Sequence, residues 1–183
     1  MALASACTVR ALRAEELTGL LLQQALSTFA DAIGYRRNDS RVTALSGAIR
    51  RHAEHGGFRA FGALTPRNRL VGFSYGYTSQ PGLWWREQIS RPMSEAQREY
   101  WLGDAFELAE LHVHPSVQGF GFGSRLHDAV MHGLAHRTAV LSVMHRSERA
   151  RQLYTRRDWQ TLIEDLRFPT DPGTPFSVLG LAL

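Results

Sequence analysis

A segment about two-thirds of the way along the sequence has the composition of a phosphate-binding turn. It runs from Val113 to Ser124 and carries glycines at alternate positions, Gly119, Gly121 and Gly123. Glycine lets the main chain approach a ligand closely, and this segment joins a predicted strand to a predicted helix. The first amides of a helix have no partner within the helix and lie at its positive end. The pattern therefore predicts a site for the oxygens of a pyrophosphate.

Two other nucleotide-binding motifs fit this segment poorly. A Rossmann GxGxxG pattern that starts at Gly119 needs glycine where Ser124 stands, and it normally follows the first strand of a fold. A Walker phosphate loop needs lysine, and all 21 Lys or Arg positions of this chain are arginine. The absence of lysine also excludes Schiff-base chemistry and a lysine general base.

The segment resembles the pyrophosphate-binding signature of the GNAT acetyltransferases. Gln118, Gly121 and Gly123 match the QxxGxG pattern of that family. A later segment, Ala150 to Trp159, resembles a second family motif, in which an alanine precedes a Leu-Tyr pair and an aromatic residue follows. The two segments lie about thirty residues apart, as in the family. With the flanking strands, the resemblance extends over roughly residues 58–166.

Two positions depart from the family pattern. Ser147 stands where the family commonly has asparagine, so a polar contact to the pantetheine arm is weaker or rebuilt. Asp158 stands where the family often has glycine. Aspartate tolerates left-handed backbone angles better than most residues, so we expect the helix end to form there with modest strain.

The resemblance implies acetyl-CoA as the co-substrate, held by the strand end, the glycine turn and the second segment. Arg125, and Arg149 or Arg151, are predicted to bind the phosphates of CoA through their guanidinium groups. The predicted cofactor-binding residues are Leu111, His112, Val113, Gln118, Gly119, Phe120, Gly121, Phe122, Gly123, Ser124, Arg125, Ser147, Arg149 and Tyr154.

Acetyl transfer from a thioester to an amine needs a base, an acid and a polarised carbonyl group. An alkylammonium ion, with a pKa near ~10, must lose a proton before it attacks. Glu110 matches the acidic position of many relatives and is the predicted base, with Glu107 in reserve. Tyr154 is predicted to protonate the departing thiolate, and main-chain N–H groups around Val113 are predicted to polarise the carbonyl.

Two histidines share a predicted strand face with Glu110, because every second side chain of a strand points the same way. Glu110, His112 and His114 could together ligate a metal ion. No further cysteine or carboxylate cluster completes such a site in the sequence, so we predict no metal and assign His112 to the proton path.

The stretch from Ser79 to Asp104 holds three of the four tryptophans and shows no clear period, although 94–101 could be a short helix. Long irregular connections in compact domains are more often functional than idle. Two hypotheses stay open: the stretch covers the core, or it forms the acceptor pocket with charge from Arg86 or Glu87. The substrate-binding residues under the second hypothesis are Trp84, Trp85 and Glu107.

Hydrophobic periodicity predicts the elements that position these residues. The predicted strands are 7–12, 58–64, 70–78, 106–113, 139–144, 160–168 and 176–183. The predicted helices are 14–30, 39–55, 123–136 and 148–157. The second and third strands should form an antiparallel hairpin, and the strand–helix–strand unit should form a parallel pair. The expected fold is GNAT-type α/β: a mixed, mostly antiparallel sheet with a central parallel pair and helices on both faces.

Length and composition limit the class of protein. With 183 residues, 44% of them hydrophobic and 21% charged, the chain should form one folded domain, 1–183. A net charge of +4 with scattered arginines does not favour a nucleic-acid partner. No apolar stretch approaches the roughly 20 residues that cross a bilayer, so no membrane partner is expected. The single cysteine, Cys7, makes no internal disulfide, and the expected location is the cytoplasm.

These observations favour an N-acetyltransferase that acts on a primary amine of a small molecule or a peptide. The alternative is a non-catalytic acyl-CoA-binding regulatory module, which would keep the glycine turn and lose acid–base residues. The presence of Glu110 and Tyr154 favours the enzyme. The apolar last strand, 176–183, could add to the sheet edge of a second copy and so form a homodimer.

Overall fold

The computed structural model describes residues 6–183 as a mixed α/β fold. The strands are β1 (Thr8–Leu12), β2 (Arg59–Leu64), β3 (Leu70–Ser79), β4 (Ala105–Val113), β5 (Thr138–Met144), β6 (Gln160–Phe168) and β7 (Asp171–Ala182). The helices are α1 (Ala14–Thr18), α2 (Leu22–Ile33), α3 (Ser40–His52), α4 (Trp84–Ser90), α5 (Glu95–Leu102), α6 (Phe122–Met131) and α7 (Glu148–Thr155), with a 3-10 helix at Pro115–Val117. Among the described helices, none has the length and apolar character needed to cross a membrane.

The strands form a seven-stranded sheet in the order β1-β2-β3-β4-β5-β7-β6. Strands β2 and β3 form the predicted antiparallel hairpin, with Ala60 opposite Tyr75. Strand β4 runs parallel to β5, with Ala105 opposite Thr138. Strand β7 is antiparallel to both β5 and β6. The prediction of a mostly antiparallel sheet with one parallel pair is therefore confirmed.

The described residues fall into two compact units. The first contains the described residues up to Tyr77 together with Ala109–Gly133, and the second contains Thr78–Leu108 together with Leu134–Leu183. Each unit has a cluster of buried apolar side chains, which shows that each has its own packed interior. The arrangement of the chain as one domain stays a prediction.

The core of the first unit holds both ends of the glycine turn. Phe122 and Leu126 lie four residues apart on α6, so both side chains point to the same face of the helix. They pack in one buried cluster with Val113, the last residue of β4, and Val117, the last residue of the 3-10 helix. The turn between them is thus fixed at each end by apolar packing, while Gly119 and Gly121 stay exposed.

Two of the predicted helices break or end at a glycine. The predicted helix 14–30 breaks after Thr18 and resumes at Leu22. A Cβ at Gly19 would lie 2.7 Å from the carbonyl oxygen of Glu15, so the break needs glycine. The predicted helix 123–136 ends at Met131, just before Gly133, which has a φ of 68°. Left-handed glycines commonly end helices.

Helix α4 was not predicted, and it lies within the stretch that has no clear period. It has only 7 residues and its N-cap, Leu83, makes no side-chain cap hydrogen bond. A helix this short offers too few apolar repeats for periodicity to reveal it. Its Ile89 is fully buried in the core cluster of the second unit, and Trp85 packs against the same cluster. Tertiary packing therefore stabilises α4.

The expectation that the last strand adds to the sheet edge of a second copy is wrong. Residues Thr138–Met144 of β5 pair with one side of β7, and residues of β6 pair with its other side. Gly180 illustrates this, because it stands opposite Val140 on one side and Gln160 on the other. Both sides of β7 are therefore occupied within the second unit, and a homodimer cannot form by adding a strand there.

We expect Gly180→Ala to destabilise the protein by about 1–3 kcal/mol, as overpacking a core does. A Cβ at Gly180 would lie 2.7 Å from the ring of Trp101 and 2.8 Å from a methyl carbon of Leu162. Gly173→Ala on the same strand is the matched control, since a Cβ there meets no atom within 4 Å. Urea unfolding of both variants measures the difference. Equal stability of the two variants would contradict the packing described here.

Candidate active site

The glycine turn adopts a conformation that side chains rarely accept. Gly119 and Gly121 have φ angles of 83° and 79°, in the left-handed region. A Cβ at either position would meet nothing within 4 Å, so glycine is required by the backbone angle and not by a lack of space. The surface of the turn is open to solvent. Gly123, the third glycine of the pattern, lies within α6. The turn therefore presents bare main chain at the start of a helix.

The first turn of α6 has unused hydrogen-bond donors. Gly121 is the N-cap of α6 and makes no side-chain cap hydrogen bond, and no acidic residue lies in the first turn. The first hydrogen bond of the helix runs from Arg125 N to Gly121 O at 3.0 Å. The amides of Phe122, Gly123 and Ser124 therefore have no acceptor within the helix. Three amides at the positive end of a helix suit a phosphate group.

Side chains around the turn brace it or extend over its surface. The Gln118 side chain donates from Nε2 to the carbonyl of Val113 at 2.9 Å, which ties the turn to the strand end. Phe120 is about half exposed. The Arg125 guanidinium lies 5.0 Å from the centre of the Phe122 ring and remains exposed. Gln118 thus shapes the site through the backbone, whereas Arg125 offers a charge beside the helix start.

Glu110 and His112 form a close pair on β4. Glu110 Oε2 lies 2.5 Å from His112 Nε2, and both side chains are largely shielded from solvent. The His112 ring meets Phe29 edge-on at 5.0 Å and Phe73 at 5.5 Å, so two aromatic rings fix its position. The predicted proton-path residue therefore contacts the predicted base directly. Leu111, between them on β4, is half-buried.

His114 does not join Glu110 and His112. Strand β4 ends at Val113, and His114 caps the 3-10 helix, with its Nδ1 accepting from Ser116 N at 3.2 Å. Its Nε2 lies 3.3 Å from Asp31 Oδ2 on α2. The alternating pattern of a strand no longer applies once the strand ends, which explains the difference. Within residues 6–183, no group of three or more His, Cys, Asp or Glu side chains could hold a metal ion.

The residues of the second predicted motif lie in the second unit, on and around α7. Tyr154 is buried and its ring meets Trp159 edge-on at 5.6 Å. Ser147 is the N-cap of α7, and its side chain makes no cap hydrogen bond. Arg149 is exposed. Asp158 has a φ of 60°, so the left-handed angle expected at this departure from the family pattern is confirmed.

The substrate-binding candidates of the second unit have different surroundings. Trp85 donates from Nε1 to Ser142 Oγ at 3.1 Å and packs on the core. Trp84 is about half exposed and lies against Phe168, with ring centres 5.6 Å apart. Glu107 is almost fully buried. Trp84 is therefore the candidate best placed to meet a molecule from solvent, while Trp85 also serves the core.

Arg86 and Glu87, proposed as charges for an acceptor pocket, are engaged within their own stretch of chain. The Arg86 guanidinium donates to the carbonyls of Ser79 and Leu102. Burial lowers the pKa of Arg86, and the nearby carboxylates of Glu87 and Glu107 act in the opposite direction. Glu87 accepts a hydrogen bond from Gly82 N at 2.9 Å. Both charged side chains therefore hold the local fold.

Another histidine of the first unit, His52, is half-buried and does not belong to the Glu110–His112 pair. His52, at the end of α3, has its Nδ1 3.2 Å from the hydroxyl oxygen of Tyr75. Burial is the main cause that lowers the pKa of His52 from 6.5 to about 4, with smaller contributions in the same direction from electrostatic interaction with His55 and Arg51. The fold therefore holds this imidazole neutral at pH values where an unfolded chain would protonate it.

The free energy of unfolding should fall as pH drops from 7 to 5 because of His52. The unfolded chain binds a proton near pH 6.5 and the folded chain only near pH 4, so acid favours unfolding in this window. The expected loss is about 2 kcal/mol, since each pKa unit corresponds to about 1.4 kcal/mol. Urea unfolding of wild type and His52→Gln at both pH values tests this. His132→Gln, at an exposed histidine, should leave the wild-type pH dependence in place.

Comparison with known proteins agrees with the glycine turn and the fold. The family model described as FR47-like protein matches residues 93–168. A GCN5-like protein acetyltransferase of Mycobacterium tuberculosis is 30% identical over 122 residues, covering 62% of this chain and 59% of that protein. The chain thus spans somewhat more than half the length of that curated relative.

Solved structures of acetyltransferases share the whole fold. An acetyltransferase from Thermus thermophilus aligns with a TM-score of 0.62 at 14% identity, covering 99% of each chain. A GNAT-family acetyltransferase from Bacillus cereus aligns with a TM-score of 0.59 at 14% identity, covering 96% of each chain. A spermidine N-acetyltransferase variant from Vibrio cholerae aligns with a TM-score of 0.57 at 16% identity, covering 97% of this chain and 94% of that one. With its QxxGxG turn and its mixed sheet, the chain has the fold of these GNAT acetyltransferases and is similar in sequence to an FR47-like family model and a GCN5-like acetyltransferase.

Proposed function

We propose that this protein is an acetyl-CoA-dependent N-acetyltransferase that acts on a primary amine of a small molecule or a peptide. The observation that carries the proposal is the uncapped start of α6, which follows the strand holding the Glu110–His112 pair. An anion-binding turn and a carboxylate–imidazole pair on one continuous segment suit a phosphate-bearing acyl donor and an amine acceptor. The similarity of the chain to GNAT acetyltransferases supports the same assignment.

The start of α6 fits the pyrophosphate of CoA. The amides of Phe122, Gly123 and Ser124 are available, and no acidic side chain in the first turn repels an anion. The guanidinium of Arg125 adds a positive charge at the same end of the helix. Acetyl-CoA supplies the activated acyl group of the reaction. Leu111, His112 and Val113, in the preceding strand, are the proposed contacts for the arm that carries this group.

The Glu110–His112 pair is proposed to take the proton of the acceptor ammonium group. A carboxylate and an imidazole in direct contact can share a proton, so either side chain can pass it on to solvent. The aromatic rings of Phe29 and Phe73 hold His112 in place, which keeps Glu110 oriented. Glu110 therefore acts as the base, and His112 acts with it in the proton path.

The remaining roles are proposed from the resemblance to the family motifs. Tyr154 is assigned as the proton donor to the thiolate because it stands at the tyrosine of the second family motif, and a phenol with the ordinary pKa of ~10 has a proton to give at neutral pH. The Ser147 hydroxyl and the exposed Arg149, at the start of α7, are further proposed polar contacts to CoA. Main-chain N–H groups around Val113 are proposed to polarise the carbonyl.

The acceptor is proposed to bind near Trp84, Trp85 and Glu107. Relatives suggest two kinds of amine: one is a protein acetyltransferase by name, and a structure of the same fold is a spermidine N-acetyltransferase. The proposed location in the cytoplasm and a homodimer formed through another surface than β7 belong to the same hypothesis.

An assay of thiol release tests the proposed activity. Purified protein is incubated with acetyl-CoA and one of three amines: spermidine, a peptide with a free α-amine, or a peptide with a blocked α-amine and one lysine. We expect one amine to raise release of free CoA at least tenfold above hydrolysis, with a matching mass increase of that amine. Binding of acetyl-CoA without amine-dependent release would instead favour the regulatory-module alternative.

A further inference from the structure

A polar cleft in the first unit is lined neither by residues of the glycine turn nor by the Glu110–His112 pair. It has a volume of about 190 Å³ and lies between α2, the start of β3 and the end of β4. We call it the α2 cleft, and its polar lining includes Gln24, Ser27, Asp31, Arg37, Arg69 and His114. None of these side chains has a part in the proposed acetyl transfer.

The α2 cleft carries more positive than negative charge. Two guanidinium groups, those of Arg37 and Arg69, line it, against the single carboxylate of Asp31. Asp31 is already paired, with Oδ2 3.0 Å from Arg37 Nη2 and 3.3 Å from His114 Nε2. Arg69 forms no ion pair with any acidic side chain in the described part of the chain. One lining guanidinium therefore remains without a counter-charge.

Neutral groups of the cleft add hydrogen-bond donors. The Oε1 atom of Gln24 accepts from Leu70 N at 2.8 Å, which leaves its NH₂ group for another acceptor. The main chain that carries Arg69 is fixed, because Thr65 N donates to Arg69 O at 2.9 Å and Arg69 N donates to Thr65 Oγ1 at 3.1 Å. Donors and a fixed arginine backbone suit an acceptor-rich anion.

We propose that the α2 cleft binds a compact anion, either a small carboxylate or a phosphate, through the guanidinium of Arg69. Guanidinium groups bind the paired oxygens of both kinds of anion with two parallel hydrogen bonds. The volume is large beside the ~30 Å³ share of one water molecule and small beside the ~300 Å³ of the smallest drug-sized pockets. A phosphate ion or a small di- or tricarboxylate fits this range.

His114 connects the α2 cleft to the glycine turn. Its Nε2 faces Asp31 in the cleft, and its Nδ1 accepts from Ser116 N in the 3-10 helix that leads to Gln118. The two sites are nevertheless chemically separate, because the cleft uses side chains and the turn uses main-chain amides. The proposal for the cleft therefore stands or falls independently of the proposed acetyltransferase activity.

Calorimetric titration with citrate and with inorganic phosphate, in the absence of CoA, tests the site. We expect saturable binding of at least one anion to the wild-type protein, weakened tenfold or more by Arg69→Gln. Arg67→Gln, at an exposed arginine of the same turn that does not line the cleft, should change the affinity less than twofold. The anion that binds more tightly identifies a carboxylate or a phosphate as the ligand class.

Acetyl-CoA titrations of the same variants separate this site from the cofactor site. Arg69→Gln should bind acetyl-CoA as the wild type does, and Ser124→Glu should still bind the small anion. Absence of saturable anion binding, or equal anion affinity in Arg69→Gln and wild type, overturns the proposal. Loss of anion binding in Ser124→Glu alone also overturns it, since the anion would then occupy the glycine turn.

Discussion

Ser124→Glu is expected to weaken acetyl-CoA binding by at least about 100-fold, or about 2.7 kcal/mol. Ser124 is the third residue of α6, which starts at Phe122 after the N-cap Gly121. A carboxylate at this position can accept from the free amides of the first turn and places a negative charge where a pyrophosphate would lie. The new side chain therefore competes for the same donors and repels the ligand.

The same substitution should not unfold the protein. An acidic residue in the first turn of a helix is stabilising by about 0.3–1 kcal/mol, so Ser124→Glu should unfold at the wild-type temperature or above it. Ser124→Gln has the same shape without the charge, and it should weaken binding less than tenfold. Calorimetry with acetyl-CoA measures all three proteins. Equal affinities of Ser124→Glu and wild type would show that the start of α6 does not hold the phosphates.

Glu110→Gln should lower kcat by about 10²- to 10³-fold at neutral pH, within the range of a lost general base. In the wild type, His112 Nε2 lies 2.5 Å from Glu110 Oε2. The substitution leaves the contact of His112 with Phe29 in place, so the local fold should persist. The difference in kcat between Glu110→Gln and wild type should become smaller as the pH approaches ~10, because a larger fraction of the amine is then already neutral. A purely structural role of Glu110 would give a deficit that does not depend on pH in this way.

Controls for this prediction come from two other glutamates. Glu164→Gln, at an exposed position of β6, should leave kcat within twofold of wild type. Glu107→Gln tests the reserve base, and we expect its effect on kcat to be less than tenfold. Steady-state rates with the amine found by thiol release provide the measurement, and acetyl-CoA affinity should be unchanged in Glu110→Gln. A larger loss in Glu107→Gln than in Glu110→Gln would make Glu107 the base.

The glycine turn was predictable because its requirements are local. Left-handed angles at Gly119 and Gly121 and an uncapped helix start at Phe122 depend on a few consecutive residues, so composition and spacing indicate them. The left-handed angle at Asp158 was predictable for the same reason. Strands with regular alternation, such as β2 and β3, were likewise found close to their observed bounds.

Features that depend on distant residues were not predictable. The position of β7 between β5 and β6 follows from packing of strands far apart in sequence, and an apolar strand does not reveal its neighbours. The contact of His114 with Asp31 on α2 also joins residues that are far apart in sequence. Because of it, His114 does not share a strand face with Glu110 and His112, as the alternation of the sequence suggested. Helical periodicity of α2 would indicate which face Asp31 occupies, but not its partner.

The most direct test of the proposed cofactor site is a calorimetric titration of the wild-type protein with acetyl-CoA. We expect saturable binding at one site per chain with micromolar affinity, because the start of α6 offers three free amides and an adjacent arginine. Absence of heat for a protein shown by circular dichroism to be folded would contradict it, since the glycine turn would then have no cofactor to hold.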